Sequence, residues 1–295
     1  MTQLRIDRYR LDRVIGTGGM SRVWLAHDDL LDRPVAVKEI LPVAGLDVAA
    51  GTRTVAEARA AARLAHPNVV RVYDVLLGGG RAWIIMEHVP CRDLEALVRE
   101  RGPLPPAEAA RVGLAVLTGL DAAHRAGVLH RDVKPHNVLI ADDGRILLGD
   151  FGVALLADRV QGPESGPLVA SPGYVAPERA RDGESSAAGD LWSFGATLYF
   201  CLEARPPFAR PTAAEQLAAL FAGPPDPMVN AGPLEPVVAE LLQVDPARRP
   251  SAIEAAERIR ALQRVHRSPA VVFVAWVMAF ALLGGIAAAL LTSLA

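Results

Sequence analysis

A chain of 295 residues with 51% hydrophobic side chains can bury a large core, which excludes a disordered tail protein. The formal net charge of −2 gives no basic excess, and no Lys/Arg stripe is interleaved with aromatics, so nucleic acid is not an expected partner. Cys91 and Cys201 have neither CxxC spacing nor a histidine cluster nearby, which argues against a cysteine metal site or a disulfide framework and suits a reducing compartment.

The N-terminus, MTQLRIDRYRLDRV, scatters charges and lacks an apolar run, so it is no secretory signal. Residues 9 to about 87 read mostly as strands, with a Gly-rich turn at 16 to 19, alternation through Arg22-Val23-Trp24-Leu25, and apolar runs at 35 to 37 and 83 to 86. An Ala/Glu/Arg-rich helix is expected over Thr54 to Leu64, ending before His66-Pro67 because proline disfavours helical backbone in the residue preceding it. From 93 onward the pattern turns helical. A long helix is expected within Pro105 to Gly127, and Asp142-Asp143-Gly144 reads as a hairpin turn between two short strands. Further helices are expected near 190 to 202, 212 to 222, 234 to 242 and 251 to 262. A β-rich lobe followed by a larger helical lobe is an α+β arrangement, with a cleft at the junction near Glu87 to Pro90.

Ala270 to Leu291 holds 22 residues without a charge, and at ~1.5 Å per residue such a helix crosses a ~30 Å hydrocarbon layer. Arg264, His266 and Arg267 precede it, so the positive-inside bias places the N-terminal domain in the cytosol. Ala281, Gly285 and Ala289 repeat small residues at one-turn spacing, which permits close helix approach and a homodimer; in an Ala-rich span such spacing also arises by chance.

The most informative window is HRDVKPHN at 130 to 137, with Asp150-Phe151-Gly152 thirteen residues beyond Asn137. Asp132 is a carboxylate able to orient a hydroxyl and accept its proton, Lys134 can neutralise a migrating phosphoryl group, and Asn137 and Asp150 offer oxygen ligands to Mg²⁺. Mn²⁺ accepts the same ligands. Gly16, Gly18 and Gly19 lack Cβ atoms and let a strand-turn-strand lie close over phosphates, although such a loop taken alone is as often a plain hairpin. Lys38 lies in an apolar strand, where a cation is anomalous unless it is paired.

With these motifs quoted in order, the chain resembles the eukaryotic-type Ser/Thr protein kinases and, within them, the bacterial membrane-anchored members. GTGGMSRV at 16 to 23, VAVK at 35 to 38, HPNVV at 66 to 70, APE at 176 to 178, DLWSFG at 190 to 195 and Arg249 complete the series. The resemblance implies a bilobal fold over residues 9 to 262 (small lobe about 9–87, large lobe about 90–262), a basic linker at 263 to 269, a transmembrane helix at 270 to 291, and ATP and proteins as substrates. It implies that Lys38 holds the α- and β-phosphates and pairs with Glu57, which fits better than the neighbouring Glu39; a solvated surface glutamate is the alternative reading of Glu57. Val23, Ala36 and Leu139 would sandwich adenine, Met86 would gate the back pocket, and the backbones of Glu87 and Val89 would bond the base. Asp93 stands where ribose is often contacted, with helix capping as the competing role. Cys91 departs from the usual small residue and is either a reactive thiol at the cleft mouth or a buried one.

The same resemblance makes Glu178 and Arg249 an ion pair fastening the activation segment, and Asp190 the carboxylate that steadies the catalytic loop. Ser171 and Lys134 point to Ser/Thr rather than tyrosine substrates. Arg131 would receive a phosphorylated loop residue, for which Ser165 is the one hydroxyl between Gly152 and Ala170; constitutive activity is the alternative. A membrane-tethered scaffold that binds nucleotide without transferring phosphate is the reading from another class.

Overall fold

The computed structural model describes residues 4–18, 21–40, 63–78, 81–151 and 171–266. Strands β1 (Arg5–Ile6), β2 (Tyr9–Gly18), β3 (Ser21–Asp28), β4 (Arg33–Ile40), β5 (Val72–Gly78) and β6 (Arg81–Glu87) form a six-stranded sheet in the order β1-β2-β3-β4-β6-β5. All its pairings are antiparallel. The period of two along β4 sets the lobe's chemistry. Val35 and Val37 face one side and pack with Tyr9, Leu11, Ala26 and Ile85, while Ala36 packs on the other with Met86 and Val89. Lys38 shares the parity of Ala36 and stands opposite Val23 and Ile84.

Beyond Glu87 the chain enters β7 (Cys91–Asp93), which pairs with β8 (Val138–Ala141), and β8 with β9 (Ile146–Leu148). The helices are α1 (Leu94–Arg101), α2 (Pro106–Arg125), α3 (Pro177–Asp182), α4 (Ala187–Glu203), α5 (Ala213–Ala222), α6 (Glu235–Leu241) and α7 (Ala252–His266). Several of their starts follow from side-chain capping, while α2, α3 and α6 start at a proline in the first turn without a side-chain cap. Ser186 accepts from the Gly189 amide, and Thr212 and Glu215 form a reciprocal capping box. Helix α4 is buried along most of its length, and Trp192, Phe194 and Leu198 join Val112, Val116 and Leu120 of α2 in the main core.

One expected boundary and one omission need correction. The last helix runs to His266 rather than 262, so the stretch expected as a linker from 263 begins helical: Gln263, Arg264 and Val265 contain no breaker before Pro269. The three-residue strand β7 was not expected, because so short a segment carries no period of its own. Of the helix expected over Thr54 to Leu64, only Arg63 and Leu64 are described, and neither is helical. The span expected at 270 to 291 lies outside the described residues, among which no helix is long and apolar enough to cross a membrane.

The loop of residues 66 to 70 fastens the small lobe onto the large one. Asn68 Nδ2 donates to the Ile146 carbonyl (2.8 Å), the Leu148 amide to the Asn68 carbonyl (2.9 Å), the Val70 amide to the Leu148 carbonyl (3.0 Å), and Thr118 Oγ1 of α2 to Asn68 Oδ1 (3.0 Å). Gly119 is needed there, since a Cβ at that position would stand 2.9 Å from the Asn68 carbonyl oxygen.

Candidate active site

Asp190, in the first turn of α4 and almost fully buried, organises the loop after α2. Its carboxylate accepts the His130 amide at 2.8 Å and the Arg131 amide at 2.7 Å, and His124 Nε2 lies 2.9 Å from it. These charge-assisted bonds hold Arg131 at φ 68°, a left-handed backbone that costs about 1–2 kcal/mol for a residue with a Cβ. His130 is fixed from both ring nitrogens: Nε2 lies 2.7 Å from the Gly149 carbonyl, and Nδ1 accepts the Asp132 amide at 3.2 Å. Those partners assign the proton to Nε2. The ring also meets Phe151 edge-on, with centroids 4.5 Å apart, which ties the loop carrying Asp132 to the segment carrying Asp150.

Asp132 is the hub of the next layer. Lys134 Nζ stands 2.7 Å from Asp132 Oδ2 and donates to Ser171 Oγ at 3.1 Å, and Ser171 Oγ donates to Asp132 Oδ1 at 3.3 Å. Asn137 Nδ2 donates to the Asp132 carbonyl at 2.7 Å and to its Oδ2 at 3.2 Å. The 3-10 turn Pro135–Asn137 delivers the asparagine from the same loop. A hydroxyl 37 and 39 positions further along the chain thus converges on the ammonium of Lys134 and the carboxylate of Asp132.

Across the cleft, Lys38 Nζ lies 2.7 Å from Asp150 Oδ2. Burial, the largest single influence, pushes the Asp150 carboxyl up, but the charge and hydrogen bond of Lys38, with smaller contributions from His130 and Lys134, together hold the group below its ordinary value. Asp150 adopts φ 64°. Among the described residues no hydrogen bond reaches Asp150 Oδ1 or Asn137 Oδ1, because Lys38 takes the other Asp150 oxygen and Asn137 uses its NH₂ on Asp132. Two uncommitted hard oxygens suit Mg²⁺ or Mn²⁺, and no cluster of three His, Cys, Asp or Glu competes for a cation among the described residues. Mg²⁺ habitually takes one or two protein ligands and completes its shell with phosphate and water.

The apolar part of the cleft is equally definite. Val23, Ala36 and Leu139 belong to one cluster with Met86, Val89 and Leu147. Gly16 pairs with Val23 and Gly18 with Ser21 at the turn above, while Gly19 lies outside the described residues. Asp93 caps α1, accepting the Ala96 amide at 2.7 Å, and its other oxygen is 3.3 Å from His136 Nδ1. Cys91 packs against the same cluster half-buried, and burial pushes its thiol up, which disfavours a reactive thiolate.

Glu57, Gly152 and Ser165 lie outside the described residues. Glu39 is excluded as the Lys38 partner by strand parity: it faces the opposite side of β4, where it accepts from Arg81 Nη1 at 2.7 Å and Trp24 Nε1 at 3.1 Å. Glu178 and Arg249 form a two-bond pair at 2.7 and 2.8 Å, behind the site rather than in it.

A model of the protein kinase domain matches residues 9–259. The chain belongs to the protein kinase domain family. Serine/threonine-protein kinase PknL of Mycobacterium tuberculosis is 40% identical over 202 residues, which cover 68% of this chain and 51% of PknL. Serine/threonine-protein kinase PknA of the same species is 35% identical over 249 residues, covering 83% of this chain and 57% of PknA. Among solved structures, the PknI kinase domain of Mycobacterium tuberculosis is similar with a TM-score of 0.70 at 28% identity, over 88% of this chain and 98% of that one. The chain spans about half the length of these curated relatives.

Within this kinase domain, sequence reading missed several positioning contacts. His124 and the fixed tautomer of His130 carried no motif signal beyond the HRD letters. Arg179, next to Glu178 on α3, donates to the Arg131 carbonyl and so joins the segment after the APE stretch to the catalytic loop. Arg145 meets Glu87, a pairing between residues 58 positions apart that no local pattern indicates.

Proposed function

We propose that this chain transfers the γ-phosphoryl group of ATP to Ser or Thr hydroxyls of proteins, including its own. What carries the reading is the Asp132–Lys134–Ser171 constellation together with the Lys38–Asp150 pair. A substrate hydroxyl placed at Asp132 would be oriented for in-line attack and would lose its proton to that carboxylate. Lys134 and Lys38 would balance the charge on the phosphoryl oxygens, so positioning and electrostatics supply most of the acceleration. Asn137 and Asp150 would hold Mg²⁺ or Mn²⁺, which neutralises phosphate charge when bound. Ser171 donates to Asp132 at 3.3 Å and accepts from Lys134 at 3.1 Å, and these bonds would help hold both groups in place beside a Ser or Thr acceptor.

The kinase domain proposed over 9 to 262 would be tethered by the apolar span at 270 to 291, with its catalytic face in the cytosol and the small-residue stripe of the span supporting a homodimer. Ser165 is the activating phosphosite proposed for the segment between Gly152 and Ala170.

The test uses the full chain in lipid nanodiscs with γ-labelled ATP and a generic basic protein, followed by acid hydrolysis. Phosphoserine or phosphothreonine is expected, with Ser165 among the modified residues. Nucleotide binding without any incorporation would instead favour the scaffold reading.

A further inference from the structure

We propose that Arg145 is a positioning residue for the nucleotide: its ion pair with Glu87 ties the two lobes together behind the hinge and slows nucleotide release. The inference rests on the kinase reading, because Glu87 matters here as the residue whose backbone meets the base. Glu87 is the last residue of β6 in the small lobe, and Arg145 begins the return from the β8–β9 turn in the large lobe. Arg145 Nη1 stands 2.9 Å from Glu87 Oε1.

Both ends of the tie are held in place. Asp143 accepts from Arg145 Nε at 2.7 Å and from the Arg145 amide at 3.0 Å, so the guanidinium is preset in the turn before it meets Glu87. On the other side, the Glu87 amide donates to the Arg71 carbonyl at 2.8 Å, and Glu87 pairs with Val35 of β4. Glu87 is therefore fixed within its own sheet by its backbone and to the opposite lobe by its side chain. A cavity of about 280 Å³ lies beside the pair, lined also by Pro67, Val69 and Leu147. The tie borders this gap instead of being backed on all sides by packed side chains, and it adds a side-chain link between the lobes to the bonds that the 66 to 70 loop makes with Ile146 and Leu148. Leu147 also belongs to the apolar cluster of the nucleotide slot, so movement here reaches the base site directly.

Arg71 lines the same cavity and makes no ion pair among the described residues. It is the natural control, a cation at the same rim that does not join the lobes.

The experiment measures release of a fluorescent ADP analogue from the full chain by stopped flow, with no phosphoryl transfer involved. A half-exposed pair is worth at most ~1 kcal/mol, so Arg145→Ala is expected to speed release about two- to fivefold. Arg145→Lys should recover part of the loss. Glu87→Gln should match Arg145→Ala, and the double variant should show no further increase, because both changes remove one interaction. Arg71→Ala should release at the wild-type rate. High salt should erase the wild-type advantage, and KM for ATP should rise in Arg145→Ala without a fall in kcat, a split that general destabilisation does not give. Unchanged release in Arg145→Ala, additive effects in the double variant, or an equal effect of Arg71→Ala would each overturn the tie. Failure of the wild type to bind the analogue at all would sink the kinase reading itself, whereas tight binding with identical release in every variant sinks only the tie.

Discussion

Two ion pairs in different regions of the molecule are built on opposite plans. Arg249 is completely shielded from solvent, makes two bonds to Glu178, and spends its remaining donors on the carbonyls of Ala188, Gln243 and Val244. Its guanidinium also lies 5.0 Å from the Trp192 ring centroid. Every polar valence is satisfied, which is the condition under which a buried charge is tolerated. The Lys38–Asp150 pair is built the other way. It has one close contact, Asp150 keeps 30% of its side chain exposed, its second oxygen is uncommitted among the described residues, and its backbone sits in the left-handed region. A saturated pair fastens the fold, while an unsaturated pair in a strained setting leaves valence for a ligand.

The contrast can be broken most forcefully at the saturated pair. Arg249→Met strands Glu178, and unfolding in denaturant should show a loss of about 3–5 kcal/mol; a loss below ~1 kcal/mol would mean the pair is not structural. Lys38→Met should do the reverse, lowering phosphoryl transfer by about 10²–10³-fold, the scale of losing one electrostatic stabiliser, while the loss of stability stays much smaller than in Arg249→Met. A large midpoint shift with proportionate activity loss would erase the distinction between the two pairs. Gly195→Ala is a packing control near neither charge. Its Cβ would come within 2.7 Å of Leu241 Cβ where α4 crosses α6, and about 1–3 kcal/mol of destabilisation is expected from calorimetry.

The smallest effect is in pH. Because the Asp150 carboxyl is held below its ordinary value, its contribution is fully present above the unfolded-state value of about 3.9 and is lost only as pH falls through the lowered folded value. The stability difference between wild type and Lys38→Met should therefore be flat from neutrality to about pH 4 and shrink only below it. A difference that disappears between pH 5 and 7 would show that the carboxyl is not depressed.

Much of the site was legible in the sequence because Asp132, Lys134 and Asn137 sit on one loop, where spacing alone nearly fixes geometry. Lys38 was legible for a different reason: a lysine inside an apolar strand is anomalous unless it has a carboxylate to meet. The rest depended on contacts that spacing does not encode. Asp93 fitted two roles by pattern, and its capping bond to Ala96 appears only once α1 has a defined start. Glu39 and Lys38 are neighbours in sequence, yet the pleat sends them to opposite faces, and only the register of β4 against β3 and β6 shows what Glu39 meets there. Strand β7 exists because β8 is there to pair with it, and the Glu87–Arg145 tie because two lobes fold back on each other. The end of α7 was misplaced since Gln263 to Val265 are ordinary helix residues and the stop signal, Pro269, lies further on.

The most direct measurement compares nucleotide affinity and phosphoryl transfer in the wild type and Asp132→Asn, side by side in the full chain. The asparagine keeps the size of the side chain and an oxygen for Lys134 and Ser171, but it cannot take up the hydroxyl proton. Nucleotide affinity should stay within about twofold while transfer falls by at least ~10²-fold, the scale of general-base loss. Equal turnover in the variant would remove Asp132 from the chemistry and contradict the reaction proposed for this site.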